Sequence, residues 1–206
     1  MLYPNVDIIK LQGLGEPLMH PSINTLIQRA HEHGSNVMVI TNGSLPIPSG
    51  IDILIISLET MDPLKYKNLR GYDLCRVLEN IKYAALNQKI IINCVQTHLT
   101  TSQDVQDVAE FARSINGEIW ITPMEVWYDP LHQCYENSLN DALMAHEIHQ
   151  NLCNPRKDDC RWLKGKYIYY DYAGRLHPCC IRMGDEYIID DIETYDFKKC
   201  CVRCPL

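Results

Sequence analysis

The sequence predicts an α/β protein built on a parallel sheet or partial barrel, with a small cysteine-rich β module at its C-terminal end. Three observations carry this. From Val6 to Pro123 short apolar runs alternate with helical patterns; the central runs IDILIISL and KIIINCVQ lack polar alternation; and six of the ten cysteines fall at or after Cys160. Alternation of strand and helix is the signature of a parallel sheet. Runs without polar alternation predict strands covered on both faces by helices.

The elements follow in order. VDIIKLQ is a first strand, INTLIQRAHEHG a helix, NVMVIT a second strand and IDILIISL a third. A two-part helix leads to KIIINCVQ, the fourth strand. SQDVQDVAEFARSING is helical with Gly117 placed as its stop, and EIWITP is the last strand. Residues 128–158 read as a linker and a helix starting near Ser138. In that helix His146 and His149 stand one turn apart, and with no third ligand nearby in sequence they read as surface residues. KYIYYDY and RLHPC then flank Ala173-Gly174, a hairpin in which Gly174 supplies positive φ. The predicted domains are residues 1–127, the linker and helix 128–158, and the cysteine-rich module 159–206.

Composition narrows the function. A net charge of -7 and a pI near 5.6 exclude the broad basic surface that sequence-independent nucleic-acid binding requires. The longest apolar runs are too short to cross a bilayer, and the first residues show no export signal. The expected compartment is the reducing cytoplasm, where clustered thiols mean metal or redox chemistry rather than disulfides.

Parallel α/β folds place their ligands at the carboxyl ends of the strands. There the sequence sets Gly13, Leu14, Gly15, Glu16 and Pro17 after the first strand, and Thr41, Asn42 and Gly43 after the second. Ser57, Glu59 and Thr60 follow the third, and Asn93, Gln96 and His98 the fourth. In the cysteine module, Cys160 and Cys179 frame the hairpin while Cys201-Val-Arg-Cys204 makes a C-x-x-C turn. Four thiolates suit a cubane [4Fe-4S] cluster or tetrahedral zinc on count alone. The wide spacing of the first pair favours iron. Cys180 and Cys200 stand as alternatives to their neighbours, and Cys75, Cys94, Cys134 and Cys153 read as buried, inert thiols.

These residues carry a family resemblance. Leu11 to Pro21, L-Q-G-L-G-E-P-L-M-H-P, resembles the Gly-Gly-Glu-Pro stretch after the second barrel strand of radical S-adenosylmethionine enzymes. Thr41-Asn42-Gly43 and Ile56 to Thr60 resemble the next two strand ends, and C-x13-G-x4-C with C-x2-C is similar to the twitch module, the short form of the SPASM extension. The resemblance implies a partial parallel (β/α) barrel lacking its first β-α unit. It further implies S-adenosylmethionine held by Gly13, Gly15, Glu16, Pro17, Thr41, Asn42, Ser57 and Asn93, and an auxiliary [4Fe-4S] cluster on Cys160, Cys179, Cys201 and Cys204. Glu16 would complement the methionine ammonium, and Ser57 and Asn93 would hydrogen-bond the ribose or carboxylate. The implied reaction is hydrogen abstraction from a peptide or small-molecule substrate, with a flavodoxin or ferredoxin as electron donor. The family's C-x-x-x-C-x-x-C loop is not among these residues. The expectation is an N-terminally incomplete radical enzyme, ahead of a non-enzymatic iron-sulfur or electron-transfer remnant and of a zinc-stabilised structural protein.

Overall fold

The computed structural model describes residues 6–13, 15–97, 99–123, 169–171, 173–177 and 189–190. Two compact units divide the chain, Met1–Ala145 and His146–Leu206.

The first unit is a five-stranded sheet, β1 (Ile8–Leu11), β2 (Asn36–Thr41), β3 (Ile53–Ser57), β4 (Ile90–Gln96) and β5 (Glu118–Pro123), in that spatial order and parallel throughout. Helix α1 (Ile23–Glu32) links β1 to β2, α2 (Pro63–Arg70) and α3 (Leu74–Ala85) link β3 to β4, and α4 (Ser102–Ser114) links β4 to β5. Between β2 and β3 there is no helix. Residues 42–52 cross directly, burying Ile47 and Ile51 where a helix would otherwise pack.

Local chemistry places the helix ends. Asp62 and Asp73 cap α2 and α3 by accepting from amides of the first turn, and Gly71, at φ 77°, closes α2 in the left-handed region. Thr101 and Asp104 form a reciprocal capping box at the start of α4. At its end the left-handed residue is Asn116 (φ 55°), not Gly117. Gly117 N donates to Ala112 O at 2.8 Å and Asn116 N to Arg113 O at 3.1 Å, the two bonds of a Schellman ending. The role of Gly117 is space, because a Cβ there would lie 3.3 Å from Ile90 O.

Register and strand alternation divide the sheet into two faces. Val37, Val39, Leu54, Ile56, Ile90, Ile92 and Cys94 share one face and join the core formed with Ile27, Tyr66, Val77, Ile81, Val108 and Phe111 of α1, α2, α3 and α4. The opposite face carries Met38, Ile40, Ile55, Ser57, Ile91, Asn93, Val95, Trp120 and Thr122. The expectation of helices on both faces is therefore corrected: all four described helices pack into one core. Right-handed crossovers put successive helices on the same side of a barrel wall, and the other face becomes the inner one. Ile55 and Ile91, at 3% exposure each, are buried on that inner face. This is why the central strands read as apolar on both sides.

In the second unit, β6 (Tyr169–Tyr170) and β7 (Leu176–His177) pair antiparallel, with Gly174 at φ 75° in the turn, and Ile189 N donates to Leu176 O at 3.0 Å. No described helix is long and apolar enough to cross a membrane.

Candidate functional site

The carboxyl end of the sheet is assembled around Glu16. It caps the single-turn 3-10 helix Pro17–Met19, its Oε1 accepting from Leu18 N at 3.0 Å, while Pro17 at the first helical position has no amide to leave unpaired. The same Oε1 accepts from Thr41 Oγ1 at 2.7 Å, and Oε2 accepts from Asn42 N at 2.8 Å. One carboxylate thus joins the ends of β1 and β2. All three donors are neutral, and no cationic side chain pairs with Glu16 among the described residues.

Thr41 and Asn42 are part of this frame. Thr41 is buried on the core face, and its hydroxyl, besides donating to Glu16, accepts from Gly43 N at 3.0 Å. Asn42 Oδ1 accepts from Ser44 N at 2.9 Å in a local turn. Gly43 is required: it has φ 71°, and a Cβ would meet Ile56 Cγ2 and Val77 Cγ1, each at 3.2 Å. Asn80 Nδ2 on α3 holds the Gly43 carbonyl at 2.8 Å. Gly13 and Gly15 are the reverse case. Both are exposed, and a Cβ on either would meet nothing within 4 Å, so the protein's own packing does not demand glycine there.

On the inner face Ser57 pairs in register with Asn93, and Asn93 with Trp120. Thr122 Oγ1 donates to Asn93 Oδ1 at 3.0 Å, which leaves the Asn93 Nδ2 group and the Ser57 hydroxyl without partners among the described residues. Trp120 is 44% exposed. Trp120 and Thr122 were not expected from sequence, since neither sits in a motif; only register places them beside Asn93. Gln96 does not join this group, because three residues beyond Asn93 the strand alternation turns it to the core face. His98 lies outside the described residues.

Behind β3 and β4 are two satisfied ionic networks. Glu59, 2% exposed, receives Arg70 Nε at 2.9 Å on one oxygen and Arg70 NH2 on the other, a bidentate pair. Burial and the nearby Glu59 charge push the Tyr66 hydroxyl up to about 12. Asp104 accepts from Thr60 Oγ1 at 2.5 Å, Thr101 N at 2.7 Å and Lys65 Nζ. Burial raises its carboxyl, but the Lys65, Thr101 and Thr60 donors outweigh this and hold it well below the usual carboxylate range. Burial, with the Glu59 and Asp104 charges, pushes the Cys94 thiol up to about 11, as expected of an inert cysteine. Cys75, by contrast, is exposed on α3, which corrects its expected burial.

A shallow groove of about 660 Å³ lies between α1 and the 42–52 connection, lined by Gln28, His31 and Pro48 among others. Its polar pair, His31 Nε2 with Asp52 Oδ2 at 2.9 Å, is a fold contact, because the same oxygen accepts from Val37 N at 2.7 Å. None of the nominated residues lines it.

Cys160, Cys179, Cys201 and Cys204, together with Cys180, Cys200, Cys134, Cys153, His146 and His149, lie outside the described residues. Among the described residues no group of three or more metal-ligating side chains occurs. The second unit nevertheless holds a buried polar atom with no partner, His177 Nδ1, immediately before Pro178 and Cys179. A donor of that kind fits a metal centre in this segment. The open space at Gly13 and Gly15, and the lack among the described residues of a cation beside Glu16 and of partners for Ser57 and Asn93 Nδ2, likewise fit a polar ligand bearing a cationic group.

No family model matches the chain. Over 127 residues it is 29% identical to a probable GTP 3',8-cyclase of Pyrococcus abyssi, and equally so to the one of Pyrococcus horikoshii; each match covers 57% of this chain and 41% of the relative. The chain therefore spans about two-fifths of the length of these curated relatives. Among solved structures, Streptococcus suis SuiB bound to its precursor peptide SuiA matches with a TM-score of 0.64 at 16% identity, covering 97% of this chain and 54% of that one. TYW1 with a lysine-pyruvate adduct matches with a TM-score of 0.50 at 20% identity, covering 68% and 50%. SuiB bound to S-adenosylmethionine matches with a TM-score of 0.50 at 18% identity, covering 70% and 36%. At these identities the structural matches establish a shared fold.

Proposed function

We propose that this chain, whose fold is that of the radical S-adenosylmethionine superfamily, forms the cofactor- and substrate-facing part of a radical enzyme that abstracts hydrogen from a peptide or small molecule. The observation that carries the reading is the carboxyl edge of the sheet. There, among the described residues, Glu16 pairs with no cation, Gly13 and Gly15 leave open space, and Ser57 and the Asn93 Nδ2 group have no partner.

In this reading Glu16 complements the methionine ammonium, held in place by Thr41 and Asn42. Ser57 and Asn93 hydrogen-bond the ribose or carboxylate, with Thr122 fixing the orientation of the Asn93 amide. Pro17 sets the turn that presents Glu16. In the C-terminal unit Cys160, Cys179, Cys201 and Cys204 would hold an auxiliary [4Fe-4S] cluster, with Cys180 and Cys200 as alternatives. S-adenosylmethionine supplies such a site with a carbon-centred radical for hydrogen abstraction, and an auxiliary cluster supplies an electron acceptor or a substrate contact. A peptide is supported as substrate class by the match to SuiB, which binds a precursor peptide. A flavodoxin or ferredoxin is the fitting electron donor.

The test is calorimetric titration of S-adenosylmethionine into the 206-residue chain under anaerobic conditions. Binding is expected, weakened at least about tenfold in Glu16→Gln, since hydrogen bonds to charged groups contribute roughly 1.5–3 kcal/mol. No binding by the wild type sinks the reading and leaves an iron-sulfur binding or electron-transfer module in its place. The chain by itself is expected not to release 5'-deoxyadenosine, because its residues include no C-x-x-x-C-x-x-C loop. Product in an assay of this chain would overturn that expectation.

A further inference from the structure

Trp120 stands on the inner face of β5, in register with Asn93, which is itself in register with Ser57. Neighbouring strands lie about 4.8 Å apart, so the three side chains form one row roughly 10 Å long across β3, β4 and β5. One row closer to the amino ends of the strands, the same face carries Ile55 and Ile91, each 3% exposed. Glu118 stands beside them, its charge paired with Lys89 Nζ at 2.8 Å. The inner face is thus closed and apolar at that level and opens at the next, where the indole of Trp120 is 44% exposed.

The open row is uncharged and rich in donors. Thr122 Oγ1 donates to Asn93 Oδ1 at 3.0 Å, which fixes the acceptor end of the amide and leaves Nδ2 as a donor. Nδ2, the Ser57 hydroxyl and the indole N–H have no hydrogen-bond partner among the described residues. An indole face favours planar rings, stacked or edge-on. An aromatic face flanked by donors is the arrangement by which proteins hold planar heterocycles, stacking the ring and bonding its edge. An aliphatic group would gain apolar contact with Trp120 and leave the neighbouring donors unpaired, which costs more than the contact gains.

We propose that Trp120 is a substrate-stacking residue, and that the part of the substrate lying against β5 is a planar ring with a carbonyl or ring nitrogen at its edge. This rests on the radical-enzyme reading above and narrows its substrate to a small molecule that carries such a ring. In that reading the cofactor runs from Glu16, at the ends of β1 and β2, to Ser57 and Asn93. Trp120 is one strand further from Glu16, on the side left for a second molecule. Thr122 is a positioning residue, because it acts on the ring only through the Asn93 amide.

The experiment uses the full 206-residue chain saturated with S-adenosylmethionine, and saturation-transfer NMR with nicotinamide as the probe ring. Nicotinamide is expected to receive saturation on its ring protons. Cyclohexanecarboxamide, which has the same carboxamide without the flat ring, is expected to bind about tenfold more weakly, in keeping with the contribution of stacking on an aromatic side chain. Trp120→Ala should weaken nicotinamide binding by a similar factor, and Trp120→Phe, which keeps a ring, by much less. The affinity for S-adenosylmethionine should be unchanged in both. Thr122→Val should lower the affinity for nicotinamide, and Thr122→Ser, which keeps the hydroxyl, should restore it. Absent nicotinamide binding, equal binding of the two probes, or a nicotinamide affinity that Trp120→Ala leaves unchanged overturns the inference and leaves the radical reading intact. A Trp120→Ala loss that falls equally on S-adenosylmethionine assigns the indole to the cofactor and also overturns it. Wild type that does not bind S-adenosylmethionine removes the radical reading, and this inference with it.

Discussion

Glu16 and Glu59 each follow a strand of one parallel sheet, and both stand at its carboxyl end in the sequence, yet their surroundings are opposite. Glu59 is buried and meets the guanidinium of Arg70, so its charge is cancelled inside the protein. Glu16 is half-buried and, among the described residues, meets an amide, a hydroxyl and another amide. Neutral donors fix a carboxylate without neutralising it. Glu59 therefore holds α2 against β3, and Glu16 presents a positioned negative charge at the edge where ligands of such sheets bind.

The comparison breaks most readily at the buried pair. Arg70→Met strands the Glu59 charge and is expected to cost about 3–5 kcal/mol in urea unfolding, as for other buried pairs that lose one partner. A loss under about 1 kcal/mol would mean that Glu59 is no more buried in effect than Glu16. Next in size is Asp104→Asn, which leaves one acceptor oxygen for the Thr101 and Thr60 donors where there were two and removes the charge that pairs with Lys65. It is expected to cost about 2–3 kcal/mol. Its pH dependence has a definite sign. The folded carboxyl sits below its ordinary value of 3.8, so its contribution is complete above that pH and is lost as the pH falls further. The stability gap between wild type and Asp104→Asn should therefore be full at pH 7 and close progressively below about pH 4. Glu16→Gln is expected to cost only about 1–2 kcal/mol of stability, because one amide oxygen still accepts. Its effect on S-adenosylmethionine affinity should exceed its effect on folding, which is the reverse of Arg70→Met. Equal effects of Glu16→Gln on both would make Glu16 a structural residue like Glu59.

Strand and helix positions were legible in the sequence because short apolar runs and their breaks mark them locally, and Gly174 turns the hairpin in the left-handed region as expected, while the left-handed end of α4 falls on Asn116 and not on Gly117. Faces were harder to read. β3 and β4 are apolar on both sides, so period-two alternation could not say which side the helices cover or that Thr41 turns toward the core. Ser57 and Asn93 were recognised as strand-end residues, and the structure pairs them. Thr122 is 29 residues from Asn93, and only the register of β4 with β5 brings its hydroxyl there. His177 stood in the sequence merely as a hairpin residue. Its distinction is a buried nitrogen without a partner, which no spacing encodes.

The direct crossing between β2 and β3 also orders events in time. Pairing these strands closes only residues 42–52, whereas β3 and β4 must close residues 58–89 before they meet. Short closures lose the least chain entropy, and contacts near in sequence form early. The β2–β3 pair, sealed by Ile47 and Ile51, is thus the expected folding nucleus, with α4 docking after the barrier. In stopped-flow refolding, Ile51→Val should cost about 1 kcal/mol and slow folding, while Phe111→Leu on α4 should mainly speed unfolding. The reverse partition would place the nucleus at the other side of the sheet.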